Sequence, residues 1–181
     1  IISRTGYTGE LGYEIYISND YVVKLWELLL KDGRAKPAGL GCRDTLRLEA
    51  GMALYGNDLD EEHTPLEANL GRFVKLQKQD DFVGKEALIV QQNEGVKRKL
   101  VGFIMDGREI SRCHYEMYSL EGKFIGQVTS GAPSPTLTRN VGLGYVPSEY
   151  SQEGTRILIR IREKFCPATV VRLPFYKRPK V

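Results

Sequence analysis

Hydrophobic and polar positions follow two different periods along the chain, and the change of period divides it in two. Before about residue 96 most apolar residues recur at helical spacing, whereas from Lys99 onward short apolar runs lie between glycine-containing turns. Helices that are followed by a run of short strands are typical of an α+β protein. We therefore predict an α+β fold with two domains, residues 1–96 and residues 97–181.

One strand and several helices are predicted in the first domain. A strand alternates around Glu14, with its apolar residues on the opposite face. After Asn19 an apolar stripe at positions i, i+3, i+4 and i+7 predicts an amphipathic helix that ends near Gly33 and buries Trp26. Further helices are predicted at 43–50, after the capping signal Thr64-Pro-Leu-Glu67, and at 85–92. The helix after Thr64 is expected to bury Leu66, Leu70, Phe73 and Val74.

The second domain has the pattern of a compact antiparallel β-structure. Six short strands at regular spacing, with turns at Gly122 and Gly154, indicate a barrel or a sandwich. The predicted strands span residues 99–105, 114–119, 124–129, 142–146, 156–161 and 168–172.

Charge and composition narrow the function classes. With 26 basic and 23 acidic residues the net charge is +3, too even a balance to indicate nucleic-acid binding. Three scattered cysteines and two histidines predict a reducing compartment and no metal site. No apolar run is long enough to span a membrane. The cysteine usage fits a bacterial cytoplasm and a mitochondrial matrix equally well. Because the chain opens on Ile1 within a strand motif, we expect it to be the C-terminal part of a longer polypeptide.

Candidate chemistry is concentrated at the start of the chain. Three glycines precede Glu14, and glycines let the backbone approach a neighbour or a ligand closely. Read alone, this stretch is better explained as a hairpin with a solvent-exposed polar face than as a binding site. Arg43 and Arg47 lie one helical turn apart, as ligand-facing groups or as a surface pair with Asp44 and Glu49.

Four sequence blocks stand in a characteristic order. They are Arg4-Thr-Gly-Tyr-Thr-Gly-Glu-x-Gly-x-Glu14; Gly41-Cys-Arg-Asp-Thr-Leu-Arg-Leu-Glu-Ala-Gly51; Leu54-Tyr-Gly-Asn-Asp58 with Thr64-Pro-Leu-Glu67; and Val128-Thr-Ser-Gly131 with Ser134-Pro-Thr-Leu137 and Gly144-Tyr-Val146. In this order the blocks resemble the C-terminal half of the glycine cleavage system T-protein, a tetrahydrofolate-dependent aminomethyltransferase. Cys42 stands where that family usually has alanine, and Arg72 where an aromatic residue is common.

The resemblance implies a fold, a reaction and a set of site residues. It implies the second half of a mixed α/β folate-binding core followed by a C-terminal β-barrel. The family moves a methylene group from the aminomethylated lipoyl arm of the H-protein to tetrahydrofolate and releases ammonia. Its catalytic aspartate lies in the N-terminal half, so this chain is expected to hold no catalytic residue and to be inactive alone. The positions that match family contacts to folate or substrate are Glu14, Tyr7, Arg43 and Arg178.

Each of these residues also has a structural alternative. Tyr7 would be a core residue, Arg43 a helix-start ion pair and Arg178 part of a solvated tail. Three rival functions also remain open. They are a folate-binding paralogue of the kind that assists iron–sulfur assembly, the folate domain of a dimethylglycine or sarcosine dehydrogenase, and a fragment without ligand competence.

Overall fold

A computed structural model describes residues 1–179. Residues 1–96 contain a two-stranded hairpin of β1 (Ile2–Ser3) and β2 (Glu14–Ile15), then the helices α1 (Asn19–Leu30), α2 (Leu40–Glu49) and α3 (Lys85–Glu94). The remaining chain forms β3 (Arg98–Met105), β4 (Glu116–Tyr118), β5 (Phe124–Ser134), β6 (Arg139–Pro147), β7 (Arg156–Ile161) and β8 (Lys164–Val171). The predicted α+β class is confirmed.

The six strands close into an antiparallel barrel. Their order around the barrel is β3-β6-β5-β4-β7-β8, and β8 pairs back onto β3. All six predicted strands are present, although β5 and β6 run several residues longer than their glycine signals indicated. The barrel interior is filled by apolar side chains, the largest of which are Phe103, Met105, Met117, Ile157 and Ile159. Closure leaves no open sheet edge, which explains how six short strands make a stable unit.

A second apolar cluster lies on the outside of the barrel. Leu48 of α2 is fully buried there against Leu100, Val141 and Leu143 of strands β3 and β6. After β8 the chain returns across the same surface, and Phe175 packs on this cluster. The α2 helix is therefore fixed to the barrel wall rather than to the elements that precede it.

The expected burial of Trp26 is wrong in this structure. Helix α1 is capped by the Ser18 side chain, one residue before the predicted capping pair Asn19-Asp20. It contains no buried residue, and Trp26 is 53% exposed. The helical period identifies the apolar face correctly. Within residues 1–179 no element covers that face.

The prediction of a helix after Thr64 is also wrong. Its capping box forms, because Thr64 N–H donates to Glu67 Oε2 at 2.8 Å and Glu67 N–H donates to Thr64 Oγ1 at 3.2 Å. The chain then leaves the helical path at Asn69, which has a φ of 59°, and Phe73 is exposed. The expected buried stripe does not form, because this turn bonds to β3 instead of continuing as a helix: Leu100 N–H donates to Glu67 O at 2.9 Å.

The boundary near residue 96 stays a prediction. Hydrogen bonds and apolar contacts join α2 and the turn at Glu67 to the barrel across that position. None of the helices among residues 1–179 is both long and apolar enough to cross a membrane.

Candidate functional site

Glu14 lies at the end of a short hairpin, where β2 pairs with β1 in antiparallel register and Glu14 faces Ser3. The Thr5 hydroxyl donates to Glu14 Oε2 and also bonds to Ser3 Oγ at 3.0 Å. Among the described residues, no protein group donates to the second oxygen, Oε1, and the side chain is partly exposed. The hairpin thus holds one carboxylate oxygen and leaves the other available to a ligand.

Tyr7 and Arg43 are brought together by the structure. The Tyr7 hydroxyl donates to the carbonyl oxygen of Ala53 at 2.5 Å, and the Arg43 guanidinium lies 4.8 Å from the centre of the Tyr7 ring. This contact is a cation–π interaction of an exposed side chain. The helix-start ion pair of the alternatives does not form among residues 1–179, because Asp44 pairs with Arg47 instead. Burial raises the pKa of the Tyr7 hydroxyl, which keeps it a neutral hydrogen-bond donor at neutral pH.

The glycine-rich segment reaches this place because it packs tightly on the end of α2. Gly9 has a φ of 71°, and a Cβ at that position would come within 2.6 Å of Ala50 Cβ. Only glycine combines that conformation with so close an approach. One glycine of the motif is therefore explained by packing between the segment and α2, without any ligand.

Arg178 returns to the same glycine-rich segment from the other end of the chain. Its Nε lies 3.7 Å from Glu10 Oε2, and both side chains are partly exposed. Arg178 is therefore not a free tail residue in this structure. The neighbouring Tyr176 N–H donates to the backbone oxygen of Glu49 at 2.8 Å, which fixes the tail to α2.

A buried ion pair lies beneath this surface. Arg47 is 2% exposed, and its Nη1 donates to Asp58 Oδ2 at 2.7 Å, while Asp58 itself is completely buried. Arg47 Nε also donates to Asp44 Oδ1 at 2.8 Å. Burial acts to lower the pKa of Arg47, but the two carboxylates outweigh it and raise the pKa. The arginine is thus permanently charged and serves the structure rather than a ligand.

A second buried carboxylate attaches α2 to the loop after β5. Glu49 accepts hydrogen bonds from the hydroxyls of Ser134 at 2.5 Å and Thr136 at 2.7 Å, and from the Thr136 N–H at 3.1 Å. The alternative of Arg47 and Glu49 as members of a surface cluster is wrong, because both are buried against the barrel. Only Asp44, half-exposed, has the surface partner role that was considered.

Sequence reasoning missed the importance of Asp58 and its partners on β5. The Gly-Asn-Asp and Val-Thr-Ser-Gly blocks carry the family resemblance, but their sequence alone predicts no role for Asp58, Thr129 or Ser130. The available signal for this contact was a carboxylate within a turn, Asp58, together with two consecutive hydroxyl residues in a strand, Thr129 and Ser130. Among residues 1–179, no group of three or more His, Cys, Asp and Glu side chains is placed to hold a metal ion.

Comparison with known proteins supports one family. Residues 1–78 match the family model of the GCVT N-terminal domain, and residues 98–177 match that of the glycine cleavage T-protein C-terminal barrel domain. Proteins named aminomethyltransferase from Caldanaerobacter subterraneus subsp. tengcongensis and Desulfitobacterium hafniense are each 52% identical over 181 residues. Those alignments cover 98% of this chain but only 48% and 49% of the relatives.

A solved structure agrees with the sequence relatives. The glycine cleavage system aminomethyltransferase T from Bartonella henselae superposes with a TM-score of 0.93 at 37% identity. It covers 97% of this chain and 49% of that structure. The chain spans about half the length of the relatives it matches, and it belongs to the glycine cleavage T-protein family.

Proposed function

We propose that this chain is the C-terminal half of a tetrahydrofolate-dependent aminomethyltransferase of the glycine cleavage system. In the proposed reaction the methylene of an aminomethyl group on the lipoyl arm of the H-protein passes to tetrahydrofolate. The carbon–sulfur bond and the carbon–nitrogen bond to the leaving ammonia break. Two new carbon–nitrogen bonds form, giving 5,10-methylenetetrahydrofolate and a reduced lipoyl thiol. The homologues named aminomethyltransferase support this reaction class.

The observation that carries the proposal is the Glu14 carboxylate. A pterin presents a ring N–H and an exocyclic amine side by side, and a carboxylate accepts such a pair through its two oxygens. Oε1 has no donor among the described residues, and Oε2 keeps lone-pair capacity beside its bond from Thr5. The residues present therefore fit a pterin.

Two further groups support the same site. The Arg43 guanidinium, in the first turn of α2, lies over the Tyr7 ring, and such a pair suits the flat and carbonyl-bearing parts of a folate. Arg178 is tied to the glycine-rich segment through Glu10, which brings the tail into the same neighbourhood. We keep Glu14, Tyr7, Arg43 and Arg178 as proposed ligand contacts, and we assign no catalytic residue to this chain.

The proposed partner for the exposed face of α1 is the N-terminal half of the same polypeptide. Relatives are about twice as long as this chain. Val22, Trp26 and Leu29 present an apolar surface that nothing in residues 1–179 covers, and a surface of this kind marks an interface. The N-terminal half would cover the face and supply the catalytic carboxylate.

The experiment is a turnover assay with aminomethylated H-protein and tetrahydrofolate. We expect no turnover by this chain alone, because proton transfer at the migrating group needs a positioned carboxylate that this chain does not supply. We expect turnover when the chain is joined to the N-terminal half. Turnover by the chain alone would contradict the proposal.

The rival functions predict a different outcome for the joined protein. A folate-binding paralogue would bind tetrahydrofolate but would not release ammonia from aminomethylated H-protein. A dehydrogenase folate domain would have a flavin-binding domain upstream of Ile1. Names of the relatives favour the transferase over both.

A further inference from the structure

Strand β5 contains a β-bulge at the point where it faces Asp58. Val128 pairs with Gly144 of β6 and Ser130 pairs with Leu143, so Thr129 is an extra residue without a partner on β6. A bulge of this kind bends the strand and changes which face its later residues occupy.

The bulge reverses the alternation of side chains along β5. Val128 points into the barrel core, and in a regular strand Ser130 would point inward as well. Instead, Ser130 bonds to Arg47 and Asp58, and the next two residues of its face also contact the α2 side. Ala132 lies in the outer apolar cluster, and Ser134 donates to Glu49. The extra residue therefore creates the polar face on which α2 rests.

Two consecutive hydroxyls converge on one carboxylate because of this geometry. Thr129 Oγ1 donates to Asp58 Oδ1, and Ser130 Oγ bonds to Asp58 Oδ2 at 2.8 Å. Neighbouring side chains of a regular strand point to opposite faces and cannot share one acceptor in this way. Thr129 O also accepts from the Asn57 side-chain amide at 3.4 Å.

Asp58 in turn sets the shape of the loop that precedes it. Its Oδ2 accepts the Leu54 N–H at 2.9 Å, and the Leu54 carbonyl accepts the Asp58 N–H at 2.7 Å. Ala53 is the residue directly before Leu54, and its carbonyl oxygen holds the Tyr7 hydroxyl. The position of the Tyr7 ring, and of Arg43 on it, thus depends on a hydrogen-bonded path that begins on the barrel.

We propose that the β5 bulge is a positioning device, in which Thr129 and Ser130 hold Asp58, and Asp58 places the Ala53 carbonyl that orients Tyr7 under Arg43. The functional consequence rests on the proposed folate site. In this proposal β5 of the barrel fixes the positions of Tyr7 and Arg43 without contacting the ligand itself. Thr129 is in this sense a positioning residue and not a catalytic one.

The test uses Thr129→Val, which keeps the size and branching of the side chain and removes its hydroxyl. Thr129→Ser restores a hydroxyl. Thr169→Val is the matched control, because Thr169 is also a barrel threonine whose hydroxyl bonds to an aspartate, Asp106, at 3.3 Å. The other side-chain partner of Asp106 is Arg156, and neither residue belongs to the hydrogen-bonded path from Thr129 to Tyr7, so the control removes the same kind of bond without removing a member of the path.

The first readout is the ring signal of Tyr7 in the [13C]tyrosine-labelled chain, assigned by its loss in Tyr7→Phe and followed as a function of pH. We expect Thr129→Val to move the signal and to shift the Tyr7 pKa back toward its ordinary value of 10.0. Thr129→Ser should restore both, and Thr169→Val should change neither. An unchanged Tyr7 signal in a folded Thr129→Val chain would overturn the proposal, whatever happens to folate.

The second readout is tetrahydrofolate affinity in the protein joined to its N-terminal half. Thr129→Val should weaken binding about fivefold to tenfold, the effect of one misplaced hydrogen-bonded group, and Thr129→Ser should recover it. An unaffected affinity together with a displaced Tyr7 would overturn the functional half of the proposal. No binding by the unsubstituted protein would contradict the proposed folate site itself, while the Tyr7 signal would still decide whether the bulge positions that side chain.

Discussion

Residues 1–39 and residues 40–76 both precede the barrel and are similar in length, but only the second segment is fixed to it. The first segment has no buried residue, and its helix α1 leaves Trp26 half-exposed. The second buries Arg47, Leu48, Glu49, Asp58, Glu67, Ala68 and Leu76. Apolar periodicity is present in both segments, so periodicity alone does not decide burial.

The difference between the segments is a set of polar anchors that reach the barrel. Asp58 and Glu49 accept hydrogen bonds from hydroxyls of β5, and Glu67 pairs with Arg98 of β3 at 2.9 Å. Residues 1–39 touch the second segment through Gly9 and Tyr7. Of the proposed ligand contacts, Tyr7 and Arg43 lie where the loosely attached segment meets the anchored one, whereas Glu14 lies in the hairpin of the first segment.

The largest expected effect is at the centre of the anchored segment. Asp58→Ala leaves Arg47 without its buried partner, and removing one member of a buried pair costs about 3–5 kcal/mol of unfolding free energy. Urea denaturation measures this cost. Asp32→Ala, which removes an exposed pair with Arg34 in the first segment, should leave the midpoint unchanged. Equal effects of the two substitutions would contradict the comparison.

The second largest difference between the two segments is expected when a large apolar side chain in each is replaced by alanine and the loss of unfolding free energy is compared. Leu48→Ala removes a fully buried side chain beside the barrel and should cost about 2–5 kcal/mol. Trp26→Ala, on the open face of α1, should cost about 1 kcal/mol or less in this chain. In the protein joined to its N-terminal half, the Trp26→Ala cost should rise to about 3 kcal/mol or more, because the face would then be covered. A cost that stays small in the joined protein would contradict the proposed partner of α1.

A smaller, pH-dependent effect is expected at Glu67. Burial acts to raise the pKa of its carboxyl, but the hydrogen bond from the Thr64 N–H and the Arg98 guanidinium together lower it below the ordinary value of 4.5. A carboxyl with a lowered pKa in the folded state stabilises the protein above pH 4.5 and loses that contribution as the pH falls through the folded pKa.

The measurement for Glu67 is the thermal midpoint between neutral pH and pH 3. Glu67→Gln should lower the midpoint at neutral pH, and its difference from the parent should shrink toward pH 3. Glu27→Gln, an exposed substitution on α1, should follow the parent across the whole range. If the Glu67→Gln difference were constant with pH, the ionised carboxylate would not be what anchors this turn.

The barrel strands could be predicted from the sequence because their signals are local. Short apolar runs between glycine-containing turns indicate the strands without reference to the rest of the chain. The bulge at Thr129 could not be predicted, because nothing in Val128-Thr-Ser-Gly131 marks an extra residue. The residue that the bulge contacts, Asp58, lies 71 positions away along the chain.

The two errors in residues 1–96 both follow a correct local signal. The capping box after Thr64 is a correct local signal, but Asn69 donates to Leu100 O at 2.6 Å and the turn pairs with β3 instead of continuing as a helix. Trp26 lies on the apolar face that its spacing predicts, and spacing does not say what covers a face. At the turn, contacts with β3 decided the outcome, whereas the face of α1 stays exposed because no element among residues 1–179 packs on it.

The positions proposed as ligand contacts came from the family resemblance and not from spacing, and their roles stay predictions. The structure brings Tyr7 and Arg43 together and ties Arg178 to Glu10, contacts that link residues 36 and 168 positions apart (43 − 7 and 178 − 10). No periodicity carries such information. The role of Glu14 in holding a ligand stays a prediction.

The central claim is that Glu14 holds the pterin of tetrahydrofolate, and calorimetric titration of the protein joined to its N-terminal half tests it most directly. Glu14→Gln replaces one carboxylate oxygen with an amide donor, so we expect a loss of about 2–4 kcal/mol of binding free energy. Glu153→Gln, in an exposed barrel turn, is the neutral control. Glu10→Gln tests the strand register and should cost less than Glu14→Gln, because it removes only a 3.7 Å, half-exposed ion pair with Arg178 and leaves the carboxylate proposed to hold the pterin in place. Circular dichroism confirms that each variant is folded. Unchanged affinity in Glu14→Gln, or a larger loss in Glu10→Gln, would contradict the account.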